Sequence, residues 1–263
     1  MTKELLLNLG CDYLVDSLSA WKGPGPSPHD VKYLQSFCKL DMKDTIKLVK
    51  SHELFKQQLS SLTKNERSLL HSHIIESFWN VQLRSESSYP RADVVANIIS
   101  GLGHAPGSSL LDVGSSHGLH GLLHLMLRHN LPLTFAASDI LACNIRLLAL
   151  LGLDTFALNC EHASCSKVDT VYDIVMCNEV LEHIDQTSED ALLFEMRRWT
   201  KPGGSVVISF PEDANPQAYD IERDPLGHVR QPSPIKICAA FTTVLRNDVI
   251  RLKQPTRFIV GKF

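Results

Sequence analysis

Residues 110–118, LLDVGSSHG, have the composition of a backbone loop that holds a ligand. The stretch follows a short apolar run and precedes a helical pattern. Its glycines permit tight turns and a close approach of a ligand to the chain. Free N–H groups at the start of the following helix favour an anionic group. Because a D-x-G-x-x-x-G stretch also occurs in structural turns, its interpretation depends on the sequence downstream.

The downstream sequence supplies further polar groups at the ends of apolar runs. Asp139 ends the second run, about 20 residues beyond Gly118, where an acid is placed to hydrogen-bond ribose hydroxyls. The stretches YDIVMCNEVLEHI at 172–184 and KPGGSVVIS at 201–209 follow in the same half of the chain. In an open parallel sheet, ligands bind at the carboxyl ends of the strands, so these groups are expected to meet there.

Alternating strands and helices are predicted to position these groups. The predicted strands are 108–114, 133–139, 155–160, 173–178 and 205–211, and the predicted helices are 117–128, 143–152 and 189–199. Almost continuously apolar strands that alternate with helices indicate a parallel sheet covered on both faces. The last two apolar runs, 241–252 and 257–263, have too short a connection for a helix between them and are therefore expected to pair antiparallel.

The first 107 residues are expected to be almost entirely helical. Thr63 and Glu66 fit a capping box, in which the two side chains satisfy free N–H groups of the first turn reciprocally. Pro90 opens a further helix that ends at Gly101 or Gly103. We therefore divide the chain into a helical segment, 1–89, expected to cap the site and choose the substrate, and a cofactor-binding domain, 90–263.

Four motifs in order resemble those of the class I S-adenosylmethionine-dependent methyltransferases. They are DVGSSHG at 112–118, ASD at 137–139, YDIV with EVLEH at 172–183, and KPGG at 201–204. The EVLEH stretch and GHVR at 227–230 are similar to the group that contains the ubiquinone-type O-methyltransferases. The resemblance implies an α/β fold: a seven-stranded, mostly parallel Rossmann-like sheet with an antiparallel last strand, preceded by an α-helical N-terminal domain. It also implies methyl transfer from S-adenosylmethionine.

The resemblance further implies a cofactor site built from loops at the carboxyl ends of the strands. Its residues would be Asp112, Gly114, Ser115, Ser116, His117, Gly118, Asp139, Ile140, Glu161, His162, Asn178, Glu179 and Arg91. The glycine-rich stretch would lie under the methionine part of the cofactor. Asp139 with Ile140 would hold the ribose and the adenine edge, and Glu161 with His162 would lie near the adenine.

The remaining members of this set would lie near the reacting groups. Asn178 and Glu179 end the fourth strand, where methyl donor and acceptor are expected to meet. Arg91 could meet the methionine carboxylate, since bidentate pairing is the strength of arginine. Ser116 replaces the middle glycine of the family, so the geometry of the loop can differ from the family pattern.

Methyl transfer by in-line displacement requires positioning, exclusion of water and removal of a proton from a hydroxyl or amine acceptor. His183 is the first candidate base and His228 the second. Some relatives with E-V-x-E-H depend on a metal ion through this stretch. Glu179, Glu182 and these two histidines are an alternative metal set, although a metal-free site is the preferred interpretation.

Composition narrows the partners and the compartment. The formal net charge is −3, so no global basic field indicates nucleic-acid binding. An odd seven cysteines without a C-x-x-C pair indicate a reducing compartment. We expect no signal peptide and no membrane span, and therefore a cytoplasmic protein. A small-molecule O- or N-acceptor is the first hypothesis. A peptide, protein or RNA acceptor is the alternative, followed by a non-catalytic binding module.

Overall fold

A computed structural model provides the structure of the chain. It describes residues 2–9, 11, 41–72, 90–116, 121–122, 125–126, 129–165, 168–212, 228–252 and 255–263. His117, Gly118 and most of the predicted helix 117–128 lie outside the described residues. None of the described helices is long and apolar enough to cross a membrane.

The central element is a seven-stranded sheet in the order β3-β2-β1-β4-β5-β7-β6. Its strands are β1 (Ser109–Val113), β2 (Thr134–Asp139), β3 (Asp154–Ala157), β4 (Tyr172–Asn178), β5 (Thr200–Pro211), β6 (Thr243–Arg251) and β7 (Pro255–Lys262). The first five strands are parallel, and β7 is antiparallel to both β5 and β6. The predicted sheet and its antiparallel ending are thus confirmed.

The helices cover both faces of this sheet. They are α1 (Thr2–Asn8), α2 (Met42–Ser61), α3 (Pro90–Gly101), α4 (Ala142–Leu150), α5 (Gln186–Trp199) and α6 (Pro234–Ala239), with 3-10 turns at Cys160–Cys165 and Leu181–His183. Residues 64–72 are helical as well. Central strands buried on both faces explain why their sequences are almost continuously apolar.

Helix starts follow capping chemistry. Asp41 and Asp185 accept the backbone N–H groups of Asp44 and Ser188, at the starts of α2 and α5. The capping box at Thr63 is present, because its N–H donates to the Glu66 carboxylate at 2.8 Å and its hydroxyl accepts the Glu66 N–H at 3.3 Å. The Asp185 cap starts α5 three residues before the predicted boundary at residue 189.

Two predicted strand boundaries were wrong. The run predicted as a strand at 155–160 is a short strand, β3, followed by a 3-10 turn from Cys160. The KPGG motif lies inside β5 rather than before it, at an irregularity where the pairing with β4 shifts between Tyr172 and Ile174. Gly204 is required there, because a Cβ atom would lie 2.8 Å from the Asp173 carbonyl oxygen.

The described N-terminal helices share one apolar core with the sheet. Leu6, Phe55 and Leu70 belong to the same buried cluster as Leu110 of β1 and Leu147 of α4. The opposite face holds a second cluster, in which Trp199 of α5 is fully buried. The division at residue 89 stays a prediction, since residues 73–89 lie outside the described part of the chain.

His52 is a buried polar link between α2 and the β3 edge. Its Nε2 lies 3.2 Å from the Thr155 carbonyl oxygen and 2.9 Å from the Thr155 hydroxyl. A carbonyl only accepts, so Nε2 carries the proton. The side chain is 1% exposed. Burial lowers its pKa to about 4, because the charged ring would be desolvated.

Acidification should therefore weaken the attachment of α2. The folded state holds His52 neutral, whereas in the unfolded chain it titrates near pH 6.5. The unfolded state binds the extra proton, so stability is fully present above pH 6.5 and is lost as pH falls toward 4. We expect this residue to remove roughly 2 kcal/mol of unfolding free energy between pH 7 and pH 5.

Urea unfolding of the wild type and of His52→Gln at the two pH values measures this loss. The glutamine variant keeps an amide donor and does not titrate. Its stability should therefore fall less over the same interval. Equal losses in the two proteins would show that His52 is not the group responsible.

Candidate active site

The loop after β1 is shaped by a left-handed glycine. Gly114 has a φ of 71°, and a Cβ atom there would lie 2.5 Å from Cγ2 of Val180. Glycine is required both for the backbone conformation and for contact with the chain that follows β4. The next residue, Ser115, donates its N–H to the Ser138 carbonyl at 2.8 Å, which ties the loop to β2.

Asp139 holds two loops together at the end of β2. Its carboxylate accepts the Ser116 N–H at 2.7 Å, the Leu141 N–H at 2.8 Å and the Asn144 side-chain amide at 3.2 Å. Ser116, where the family has a glycine, adopts a φ of 51°. Burial raises the Asp139 pKa, while these donors lower it. The adjacent Ile140 packs with Ile145 and Ala157.

Asp112 is a buried acid near the start of the glycine-rich loop. It is 4% exposed. Burial raises its pKa to about 8, because the carboxylate is desolvated, while Ser115 lowers the value and Asp139 raises it further. A neutral acid of this kind becomes a receptor for an ammonium group, whose charge would favour the ionised carboxylate.

The end of β4 brings a second acid into the same region. Glu179 has a φ of 56°, and its N–H donates to the Ser209 carbonyl of β5. Its carboxylate accepts the Ser209 hydroxyl at 3.1 Å and pairs with the Arg91 guanidinium of α3 at 3.1 Å. Burial raises the Glu179 pKa despite the Arg91 charge. The amide oxygen of the preceding Asn178 is buried without a hydrogen-bond partner.

Glu182, His183 and His228 form a cluster next to this acid, and their potential ligand atoms all lie within 4.8 Å of one another. The two imidazole rings meet edge to face with centroids 5.2 Å apart. Glu182 is 0% exposed, and both its carboxylate oxygens lack a hydrogen-bond partner. Burial and then the nearby Glu179 raise its pKa well above the ordinary value. The oxygen and nitrogen donors fit either a shared proton or a divalent cation.

Contacts of the next two residues, Val229 and Arg230, hold His228 in this cluster. The Val229 N–H donates to the Glu182 carbonyl at 2.8 Å. Arg230 donates its Nε–H to the Ile184 carbonyl at 2.8 Å and pairs with the buried carboxylate of Glu189. Because one guanidinium binds a carbonyl before α5 and a carboxylate within it, Arg230 anchors the segment with His228 to the start of α5.

The third loop, after β3, carries Glu161 and His162. Their N–H groups donate to the side chain and the carbonyl of Asn159, each at 3.0 Å. The Asn159 amide in turn donates to the Thr45 hydroxyl of α2 at 3.0 Å. Because β3 pairs with β2, this turn lies beside Asp139 at the same edge of the sheet.

The structure therefore brings most of the predicted residues to one edge. Asp112, Gly114, Ser115, Ser116, Asp139 and Ile140 lie at the ends of β1 and β2, Asn178, Glu179 and His183 at the end of β4, and Glu161 and His162 beyond β3. Arg91 reaches the site from α3, where its partner is Glu179. His117 and Gly118 lie outside the described residues.

Several residues that shape the site were missed. Asn144 and Ser209 support Asp139 and Glu179, and Arg230 anchors the segment with His228. Thr45 approaches from a helix about 110 residues away in sequence. Only Arg230 had a signal, as part of the GHVR stretch. The other contacts depend on which strands and helices become neighbours.

Comparison with known proteins agrees with this geometry. The family described as "Methyltransferase domain" matches residues 89–243, more than half of the chain. The chain belongs to this family and, with its motif order and sheet, to the class I S-adenosylmethionine-dependent methyltransferases. S-adenosylmethionine is the cofactor of that class.

One relative and two solved structures give the degree of similarity. The mitochondrial ubiquinone biosynthesis O-methyltransferase of Schizosaccharomyces pombe is 25% identical over 177 residues, 64% of this chain and 63% of the relative's length. Magnesium protoporphyrin IX methyltransferase from Synechocystis PCC 6803, with bound SAH, has a TM-score of 0.52 at 14% identity, covering 66% of this chain and 83% of that one. The PH0226 protein from Pyrococcus horikoshii OT3 has a TM-score of 0.53 at 13% identity, covering 68% and 92%.

Gly114 provides a test of the loop geometry. Gly114→Ala should destabilise the protein by about 2–6 kcal/mol, since left-handed strain and overpacking against Val180 each cost about 1–3 kcal/mol. Chemical unfolding of the variant measures the change.

The double variant Gly114→Ala/Val180→Ala separates the two costs. Relative to Val180→Ala alone, the glycine substitution should then cost only the backbone strain. An equal cost in both backgrounds would show that contact with Val180 is not what demands glycine.

Proposed function

We propose that this chain is an enzyme that transfers the methyl group of S-adenosylmethionine to an oxygen or nitrogen of a small-molecule acceptor. The observation that carries the proposal is the pairing of two features at one sheet edge. A buried acid with a raised pKa, Asp112, lies near the end of β1 just before the glycine-rich loop, and a carboxylate–imidazole cluster follows the neighbouring strand β4.

The electrostatics of the cofactor site fit a positively charged ligand. Asp112, Asp139 and Glu179 are acids with raised pKa values, so each would gain from a nearby positive charge. Asp112 would receive the amino group of the methionine part, and Asp139 with Ile140 would hold the ribose and the adenine. Glu161 and His162 would border the adenine, and Asn178 offers its unpartnered amide oxygen.

Arg91 would hold the methionine carboxylate by exchanging partners. In the structure it pairs with Glu179, while its Nε is buried without a hydrogen-bond partner. An arginine with a spare buried donor can accommodate a second carboxylate. His117, Gly118 and the serines of the loop complete the proposed set.

The bound cofactor supplies an electrophilic methyl group on a sulfonium. The residues of this chain then have three tasks: to hold the acceptor in line with that methyl group, to exclude water and to take the acceptor's proton. His183 and His228 are the proposed proton acceptors. His183 follows β4 beside the buried Glu182, and its ring meets that of His228 edge to face.

The same cluster supports a second way to activate the acceptor. Glu182, His183 and His228 could together bind a divalent cation that lowers the pKa of a bound hydroxyl. The two unpartnered oxygens of a fully buried Glu182 favour this reading. Both readings lead to methyl transfer and differ in their response to chelation.

A small acceptor is supported by two observations. The S. pombe relative is by name an enzyme of ubiquinone biosynthesis. In addition, α2 packs beside the cofactor edge through Thr45 and His52, where a cap would restrict the site to small molecules. The cytoplasmic location expected from composition stays a prediction.

Cofactor binding should release protons from Asp112. In the free protein at pH 7 this acid is largely neutral, because its pKa is about 8. An ammonium partner favours the carboxylate, so binding should expel up to one proton at pH 7 and none well above pH 8. Calorimetric titration with S-adenosylmethionine in two buffers of different ionisation enthalpy measures this release.

Asp112→Asn is the matched variant. It should bind the cofactor about 1–3 kcal/mol more weakly, the scale of a hydrogen bond to a charged group. Its binding heat should be the same in both buffers. If the wild type binds without any proton release, Asp112 is not the amine receptor, and if it does not bind at all, the proposed function fails.

Loss of His228 should reduce methyl transfer and spare cofactor binding. With labelled S-adenosylmethionine and a panel of phenols, catechols and amines, His228→Ala should lower turnover by about 10²–10⁴, the range of general acid–base catalysis. Val229→Ala, an exposed neighbour, is the control and should retain activity.

Chelation then distinguishes the two roles. Activity that survives EDTA assigns His183 and His228 as the base, and activity lost to EDTA and restored by a divalent ion assigns them as ligands. Label that enters peptides or RNA and none of the small acceptors would overturn the small-molecule proposal.

A further inference from the structure

The two edges of the sheet differ in how they are covered. At the β3 edge, α2 covers the strand, and the Lys56 ammonium of α2 donates to the Thr155 carbonyl at 3.1 Å. At the other edge, β6 pairs with β7, and no strand among the described residues pairs with its outer side. Within β6 only Arg246 and Ile250 are even partly buried.

The outer edge of β6 has a sequence that is complementary to itself. Leu245 and Val249 flank Asn247 at a distance of two residues, and Arg246 and Asp248 flank it at a distance of one. When two copies of this stretch run in opposite directions about Asn247, Leu245 of one copy meets Val249 of the other. Likewise, Arg246 of one copy meets Asp248 of the other. Antiparallel pairing places such residues directly opposite each other.

We propose that β6 pairs with β6 of a second copy of this chain, antiparallel and about a two-fold axis at Asn247. The two sheets would then form one continuous sheet. Isologous pairing of this kind requires self-complementarity, which the edge possesses. The inference concerns a surface away from the carboxyl edge and does not depend on the proposed function.

The side chains lie on the faces that this register needs. Arg246 and Asp248 pair with Val260 and Phe258 of β7, so both charges lie on the same face of the sheet. They already pair with each other, Nε to Oδ2 at 2.7 Å. Beside a second copy, each would also face its opposite charge across the axis. The charges of the two copies would therefore alternate along the junction.

Charged edge strands ordinarily discourage association. Here the charges repel a strand of different sequence and attract a second copy in one register, which gives specificity. The Arg246 and Asp248 pairs lie in the regular part of β6, whereas Leu245 is the extra residue at the bulge between Val244 and Arg246. The register therefore depends on the charges, and Leu245 adds apolar surface beside them. Apolar burial adds a driving force. Leu245 and Val249 are exposed, and Ile235 of α6, which packs on β6, is 84% exposed.

Sedimentation equilibrium of the full chain, its charge variants and a salt series tests the pairing. The wild type should be a dimer that weakens with salt. In Asp248→Arg, the Arg246 of each copy would face an arginine of the other copy. The dissociation constant of the dimer should rise by roughly tenfold or more. The swap Arg246→Asp/Asp248→Arg restores opposite charges across the axis and should restore the dimer.

A monomeric wild type would overturn the proposal and leave this edge to a different partner. A dimer that Asp248→Arg does not weaken would place the interface elsewhere. A swap that fails to restore association would exclude this register. Thermal unfolding of each variant confirms that the exposed substitutions leave the fold intact.

Cross-linking tests the register independently. In the proposed dimer, a cysteine at position 247 would lie opposite the same cysteine of the second copy, with the Cβ atoms roughly 4.5–5.5 Å apart. Asn247→Cys should therefore form a disulfide-linked dimer under mild oxidation. Arg251→Cys is the control, since its two copies would be eight positions, roughly 27 Å, apart. Equal cross-linking of both variants, or none of Asn247→Cys, would contradict the two-fold axis at Asn247.

Discussion

The hydrogen bonds accepted by Asp139 hold the cofactor edge together. One carboxylate receives N–H groups from the loop after β1 and from the start of α4. Both loops leave parallel strands that are paired residue by residue, so a single buried acid sets their relative position. A buried carboxylate is costly unless donors surround it, and these donors are the loop N–H groups that would otherwise lack partners. The Asp139 side chain therefore adds to the constraint that Gly114 and the Ser115–Ser138 hydrogen bond place on the loop.

Buried acids with raised pKa values are the second constraint on the site. Desolvation raises the pKa of Asp112 to about 8 and that of Glu182 well above its ordinary value. Such groups lower stability in the free protein, and they are retained where a ligand can relieve the cost. Under the proposed function, the positive charges of the cofactor would relieve this cost. Arg91 and Glu179 already form an ion pair, and their partners would change on binding.

The sequence predicted the sheet and the carboxyl-edge residues because both depend on local signals. Apolar runs identify strands buried on both faces, and polar residues that end such runs must meet at one edge. The sequence failed where contacts depend on packing. Ser209 meets Glu179 only because β5 lies beside β4, and Thr45 meets Asn159 only because α2 packs on β3. The sequence also predicts a strand that continues to residue 160, whereas β3 ends at Ala157. Apolar composition does not distinguish the end of a strand from a tight turn.

The core that the described N-terminal helices share with the sheet limits how this protein can change. Phe55 and Leu70 belong to a cluster that also includes residues of α3, α4 and five strands of the sheet. A segment with its own core can be exchanged between enzymes as a module, whereas this one must be replaced together with the surface on which it packs. If these helices select the acceptor, as proposed, new specificity would arise by substitution at the inner face of α2, in small steps, rather than by recombination of whole segments.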